Sequence, residues 1–363
     1  MAARSAAVLV IGAGVVGRCI AYYLWRRGVA AHLIDDNQGP TPTSRASLGI
    51  LTHPNGLDNP YSNFYREGHA LHQPLAAELL EETGVDVGWR APGGIDVILN
   101  DADEEAAREL LRFNQERACA AEWVEAAQLG AMEPDISPQA RGGVYFVDDY
   151  RVDPALLSDA LLQAVQARGG GISYGEKVES VRQVGDDGVE VRTGKEVYNA
   201  DYAVLAAGAW TGAVGEMLGL QLAMRPVRGQ HGRYAGGERV RHILRHGGHY
   251  VVAAGPDVIV GATVEEVGFE LENTRAATEH FDGLFSSLLS FAPRRLEQRA
   301  GLRPKPKGGR PLIGPLQAHP RIFAAAGHYK NGVLLGPVTG RVVGEWIAAG
   351  KPARDMSYFA PER

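Results

Sequence analysis

The chain has 363 residues, 45% of them hydrophobic, and a formal net charge of −6. That length supports two domains or one large discontinuous one, with enough apolar content for a sizeable core. No basic stripe or arginine-rich run is present, which argues against nucleic acid as the main partner, and the apolar run YAVLAAGAW is too short to span a bilayer.

The first element is VLVIGAGVVG, Val8 to Gly17. It reads as a buried strand, a glycine turn and the opening of a helix. Gly12, Gly14 and Gly17 have the G-x-G-x-x-G spacing. Gly12 makes the tight turn, Gly14 lets the backbone approach a pyrophosphate, and Gly17 lets helix and strand pack closely. The free N–H groups at the helix start face the phosphates. The helix continues through VVGRCIAYYLWRRG with Val16, Ile20 and Leu24 on one face, and Gly28 stops it. A second strand, AAHLID, ends in Asp35, roughly 20 residues past the glycines, where a carboxylate accepts ribose hydroxyls. The same letters also describe a strand–turn–helix with nothing bound. The apolar strand before, the helix after and the acidic residue at the right distance favour a dinucleotide site. Arg4 before an apolar run resembles a signal peptide, but the glycines and the amphipathic helix argue against one. Cys19 lies inside this helix, and Cys119 is the only other cysteine. A reducing compartment without disulfides or a Cys-based metal site is expected, with the cytoplasm as the default.

Next comes a loop rich in Gly, Pro, Ser and Thr. Within it TSRASLGIL, Thr43 to Leu51, turns from small polar to apolar, which suits close approach to a flat cofactor or its phosphates. A surface loop capping a helix through Ser44 is the plainer alternative. The helix that follows buries Leu71, Leu75, Leu79 and Leu80. His53, His69 and His72 lie nearby without metal-ligand spacing, so ordinary polar positions and no metal are expected. From Val87 to about Tyr150 the texture changes to a strand, a charged solvent-facing helix and a short strand, read as part of a second domain. Asp153 and Pro154 start another helix as N-cap and N1, with Leu156, Leu157, Ala160, Leu161, Ala164 and Val165 buried. Short strands with a turn at Asp186 to Gly188 lead to YAVLAAGAW. Its last small residues leave room for a ligand at the carboxyl edge of a parallel sheet, or allow tight packing there. After RPVRGQHGRY, strands and the helix TRAATEHFDGLFSSLLSFAP read as the rest of the second domain. The final unit is strand, glycine loop and helix, and that helix N-terminus also points at a ligand.

GAGVVG with Asp35, TSRASLGIL, AVLAAGAW, PVRGQ, VIVGATVE, AGLRP and GHYKNGVLLGPVTG together resemble the D-amino-acid-oxidase superfamily of FAD enzymes, over nearly the whole chain. Within it the resemblance is to the glycine oxidase branch linked to thiamine biosynthesis. It implies an α/β architecture. A discontinuous Rossmann-like FAD-binding domain of the GR2 type spans 1–86, 151–223 and 301–363. An α+β substrate domain with an antiparallel sheet spans 87–150 and 224–300. It also implies non-covalent FAD. The covalent link of sarcosine-oxidase relatives needs a cysteine in the C-terminal half, and both cysteines precede residue 120.

Carried over by resemblance, FAD contacts fall on Gly12, Gly14, Val15, Val16, Gly17, Asp35, Asp36, Ser44, Arg45, Leu48, Gly49, Ile50, Val178, Gly208, His328, Tyr329, Lys330, Asn331, Gly332, Val333 and Leu334. Arg303 matches the arginine that clamps the substrate carboxylate, and Tyr250 a tyrosine of the same pocket. Lys330 stands where glycine oxidases usually carry arginine. The change keeps the charge and loses the planar fork, so it bears on the substrate more than on the chemistry. Read on their own, Arg303 is a sound bidentate anchor or a surface arginine. Tyr250 is a hydrogen-bond donor or a core residue, and Lys330 faces the site or solvent.

The expected reaction is oxidation of a small amino acid such as glycine by hydride transfer to flavin N5. It gives a 2-oxo acid, ammonia and, with oxygen as acceptor, hydrogen peroxide. The final helix would stabilise charge on the reduced ring. A D-amino acid or N-methyl amino acid dehydrogenase, a 2-hydroxy acid oxidase and a non-catalytic flavoprotein remain alternatives, and a homo-oligomer is left open.

Overall fold

The opening strand shows no alternation of apolar and polar residues because both of its faces are covered. Val8, Leu9, Val10 and Ile11 are all buried, as expected at the centre of a parallel sheet. The computed structural model, which describes residues 4–39 and 42–362, places this strand, Arg4–Ile11, between Val197–Leu205 and Ala31–Asp35. Gly171–Tyr174 extends the sheet on one side and His319–Ala326 on the other, all parallel. Leu312–Leu316 and the hairpin Val178–Val184/Gly188–Thr193 add antiparallel strands, giving eight.

A second eight-stranded sheet runs in the order Arg295–Pro306, Met224–Ala235, Asp257–Gly261, His249–Ala254, Ile243–His246, Gly94–Ile98, Gly142–Phe146, Ala121–Glu125. It is antiparallel except where Ile243–His246 meets Gly94–Ile98. Its strands come from two separate stretches of chain. The segment containing AGLRP is a twelve-residue strand, Arg295–Pro306, paired along its length with Met224–Ala235. A domain boundary at residue 301 therefore falls inside a strand of this second sheet.

The helices follow their capping signals. Asp153 accepts hydrogen bonds from the Ala155 and Leu156 amides and starts Pro154–Ala167. Asn59 caps Pro60–Thr83, which ends on left-handed Gly84. Two expected core residues lie outside. Leu80 and Leu156 are 49% and 42% exposed. The buried stripes run through Leu75 and Leu79 and through Leu157 and Leu161, and each exposed leucine sits one position off its stripe. The histidines are absorbed locally: His53 bonds Asp149 at 2.8 Å, His69 the Asp148 carbonyl at 2.9 Å and His72 the Leu334 carbonyl at 3.2 Å. Among the described residues no group of three His, Cys, Asp or Glu side chains is placed to hold a metal ion.

The final helix, Gly332–Ala349, lies on the first, Val15–Trp25, backbone to backbone. Gly336 abuts Val15 and Cys19, Gly340 the Cys19 backbone, and Gly344 Tyr23 and Leu24. Contacts advance the same way along both helices, so they run parallel and their N-termini open at the same end. A Cβ at position 340 would stand 2.6 Å from the Cys19 carbonyl carbon and oxygen. Pro337 inside this helix donates no N–H, so one carbonyl of the preceding turn loses its helical partner. The buried His72 ring binds that same stretch of backbone.

Gly340→Ala should cost about 1–3 kcal/mol or more of stability, read as a lower urea midpoint. An unchanged midpoint would show that the two helices do not touch at this point. Burial pushes His72 and His328 down to about 4. Unfolded histidine titrates near 6.5, so the unfolded chain binds more protons between those values and stability must fall as pH drops through that window. The urea midpoint should fall from about pH 7 to about pH 5, and His72→Gln should shrink that fall. A midpoint that rose on acidification would contradict neutral burial of these rings.

Candidate active site

The first glycine turn is shaped by its neighbours. Gly12 adopts φ +105° and its amide donates to the Ile34 carbonyl at 2.8 Å. A Cβ there would lie 2.4 Å from the Ala206 carbonyl oxygen. The backbone then enters the first helix at Val15, whose amide donates to Ser44 Oγ at 3.1 Å. Ser44, in the short helix Pro42–Arg45, therefore caps the first helix from a separate element. Buried Asp35 takes the Ala13 amide on Oδ2 at 2.7 Å and the Asn37 backbone and side-chain amides on Oδ1 at 2.9 and 2.7 Å. Behind the turn the fully buried Arg18 guanidinium donates to Ala13 O (2.9 Å), Ser158 O (2.8 Å), Asp159 (3.1 Å) and the Tyr174 hydroxyl (2.8 Å). It locks the turn to two other elements.

A cleft of about 400 Å³ starts at this turn. One end is walled by Asp35, Asp36 and Val178, and the middle by Gly12, Gly14, Val15, Val16, Gly208, Ser44, Leu48, Gly49 and Ile50. The far end is formed by Tyr250, Arg303 and the segment His328, Tyr329, Lys330, Asn331, Gly332 and Val333. Three expected contacts stand outside the wall. Gly17 is packed against the Gly12 carbonyl, Arg45 is exposed, and Leu334 is buried with its carbonyl on His72. Gly49 is in the wall, but its lack of a side chain answers to the Val152 carbonyl, 1.9 Å from where a Cβ would be.

At the far end Arg303 is half-buried, and its Nη1 donates to the Thr263 carbonyl at 2.8 Å. Among the described residues it forms no ion pair. The nearest acid, Glu265, is held by Arg228 at 2.5 Å and Gln230 at 2.8 Å. Burial lowers the Arg303 pKa, opposed by Tyr329 and Glu265. The guanidinium lies where a side chain at residue 229 would be, with a Gly229 Cβ only 2.2 Å away. Tyr250, opposite Arg245 in the sheet, packs with Leu48 and Ile50, and burial raises its phenol pKa. Arg245 itself is held by Asp149 at 2.5 Å and Asp96 at 3.1 Å. Burial lowers the Lys330 pKa, helped by Arg303 and Lys305. Tyr329 has φ +51°, a left-handed conformation uncommon for an aromatic residue, at the bend into the final helix.

Sequence reasoning missed Arg18, Thr263 and the task of Gly229, although PVRGQ was singled out. The signal for Gly229 was available: an isolated glycine within a strand marks a close approach.

Residues 7–346 match the family model described as DAO, FAD dependent oxidoreductase. The chain belongs to this family. It is similar to glycine oxidase of Bacillus licheniformis, 27% identical with 98% of this chain and 96% of the relative covered. It is also similar to a hydrogen cyanide synthase subunit of Pseudomonas aeruginosa, 26% identical over 99% and 96% of the two chains. The crystal structure of glycine oxidase from Geobacillus kaustophilus superposes with a TM-score of 0.92 at 25% identity, covering 99% of each chain. The protein is an FAD-dependent oxidoreductase. The residues present suit the cofactor: a buried ribose-type acceptor in Asp35, a glycine turn that a Cβ would fill, and two helix N-termini on one cleft.

Gly229→Ala should displace the Arg303 guanidinium, raising KM for a carboxylate substrate roughly 10- to 100-fold with flavin content unchanged. Steady-state kinetics with an absorbance check measures both. An unaltered KM would show that Arg303 does not depend on that gap.

Proposed function

We propose that the chain oxidises glycine or a similar small primary or secondary amino acid at Cα. Hydrolysis of the imine by water gives a 2-oxo acid with ammonia from a primary amino acid or the corresponding amine from a secondary one, and oxygen as final acceptor gives hydrogen peroxide. The observation that carries this reading is Arg303, a half-buried guanidinium in the cleft wall with a carbonyl for a partner and no carboxylate. A planar fork so placed is matched by a substrate carboxylate in bidentate contact. Thr263 O and the gap at Gly229 hold the fork in one orientation, which favours a single substrate pose.

Asp35, the amides at the start of the first helix and the segment from His328 to Val333 are the residues that would hold FAD. Bound FAD supplies the two-electron acceptor for the substrate Cα–H bond. Tyr250 lines the same cleft and brings a phenol that can donate a hydrogen bond to a bound carboxylate. No side chain at this end is poised as a general base. His328, the nearest imidazole in the wall, bonds Thr339 Oγ1 at 2.9 Å and is held neutral down to about pH 4 by burial. With the substrate amine neutral, its own lone pair drives loss of the Cα hydrogen as hydride. Leu48, Ile50 and Val264 give the cleft apolar walls that limit water around the reacting carbon. The N-terminal amides of the final helix favour negative charge beside Gly332 and Val333.

Adding glycine or a related amino acid anaerobically should bleach the yellow protein. If no amino acid does so, the reading fails. Arg303→Ala should lose roughly 100-fold or more in kcat/KM for carboxylate substrates while the visible spectrum still reports bound flavin. Retained kcat/KM would remove Arg303 from the site.

A further inference from the structure

The cations around the far end of the cleft are not all alike. Lys305 pairs with Glu266 at 2.8 Å and Arg228 with Glu265 at 2.5 Å. Arg303 and Lys330 stand apart: both line the cleft, and among the described residues neither forms an ion pair. The carboxylates in the cleft wall, Asp35, Asp36 and Glu176, belong to the opposite end beside the first glycine turn. Among the described residues, the far end thus carries two positive charges that no carboxylate pairs directly, close enough for Arg303 to depress the Lys330 pKa.

A glycine carboxylate neutralises one of these charges. The second differs in kind as well as position. An ammonium on a flexible four-carbon stem is a point donor that can follow an anion at variable distance, unlike the fixed guanidinium. Lys330 leaves the chain at the bend where Tyr329 takes its left-handed conformation, and its Nζ lies 5.7 Å from the Tyr329 ring centroid. Tyr329 in turn lies near Arg303, so the bend sets the two cations beside one pocket.

Resting on the amino acid reading above, we propose that the site is built for an amino acid bearing a second acidic group, with Arg303 on the α-carboxylate and Lys330 on the other. The nearest acids, Glu265 and Glu266, are committed to Arg228 and Lys305 and do not oppose the second anion freely.

The test uses the flavin-loaded full chain and non-oxidisable ligands, read as perturbation of the flavin spectrum. Succinate and butyrate have the same length and differ in one terminal carboxylate. Succinate should bind about tenfold or more tightly than butyrate, and Lys330→Met should bring that ratio close to one. Lys330→Arg should retain a preference for succinate. Equal affinities in the unmodified protein, or a preference that survives Lys330→Met, would overturn the proposal. A turnover arm compares aspartate with asparagine, both enantiomers of each, and aspartate should have the higher kcat/KM. Failure of every amino acid to reduce the flavin, alongside Lys330-dependent succinate binding, would sink amine oxidation and leave the dianion site standing. Flavin reduction by neutral amino acids with no advantage for dianions would do the reverse.

Discussion

The structure depends on a backbone-to-backbone contact between its first and last helices. Side chains normally hold helix axes 8–10 Å apart. Here Gly336, Gly340 and Gly344 remove that spacer, and the last helix rests on the Cys19 to Leu24 backbone. Because the two run parallel, their amino-terminal ends emerge together at one edge of the first sheet. Two positive helix ends side by side repel one another, so the arrangement is best stabilised by anionic groups between them. Both ends line the cleft, and the cofactor of this family carries a pyrophosphate and a ring that accepts charge. The first and last helices are thereby committed to one site.

Buried charge fixes how the two sheets face each other. Arg18 has no exposed surface and meets its hydrogen-bonding capacity from the glycine turn, the Pro154–Ala167 helix and Tyr174. Asp149 is equally buried and joins His53, from the loop after the first sheet's early strands, to Arg245 in the second sheet. His53 stacks on Phe146 with ring centroids 4.0 Å apart. Removing one member of such a group leaves an uncompensated charge inside the protein, so these contacts specify the arrangement more than they add net stability. Tyr250 sits opposite Arg245 in the sheet, which ties the far end of the cleft to this network between the sheets.

The substrate end is organised by the opposite rule. Where the scaffold satisfies its charges internally, the pocket leaves Arg303 with a carbonyl and Lys330 with an aromatic neighbour. A missing Cβ at Gly229 holds the guanidinium, and Thr263 O aims it. The half-buried, oriented Arg303 charge favours an anionic ligand without rearrangement, while the exposed Lys330 at the cleft wall is free to follow one.

The amino-acid sequence alone determined the nucleotide end. The glycine spacing, the apolar strand, the acidic residue ending the second strand and the helix cap at Asp153 all act within a few residues or one βαβ unit, so local chemistry is enough to read them. The family motifs extended that reading to Arg303, Tyr250 and Lys330. Only the tertiary structure decided that Ser44 caps a helix it does not belong to, that Gly229 makes room for an arginine far along the chain, and that AGLRP is a strand of the second sheet. It also decided that Leu80 and Leu156 face solvent, because a step of one residue around a helix moves a side chain by 100°. These facts depend on which backbone passes a given residue at closest approach, and that neighbour comes from a distant part of the sequence.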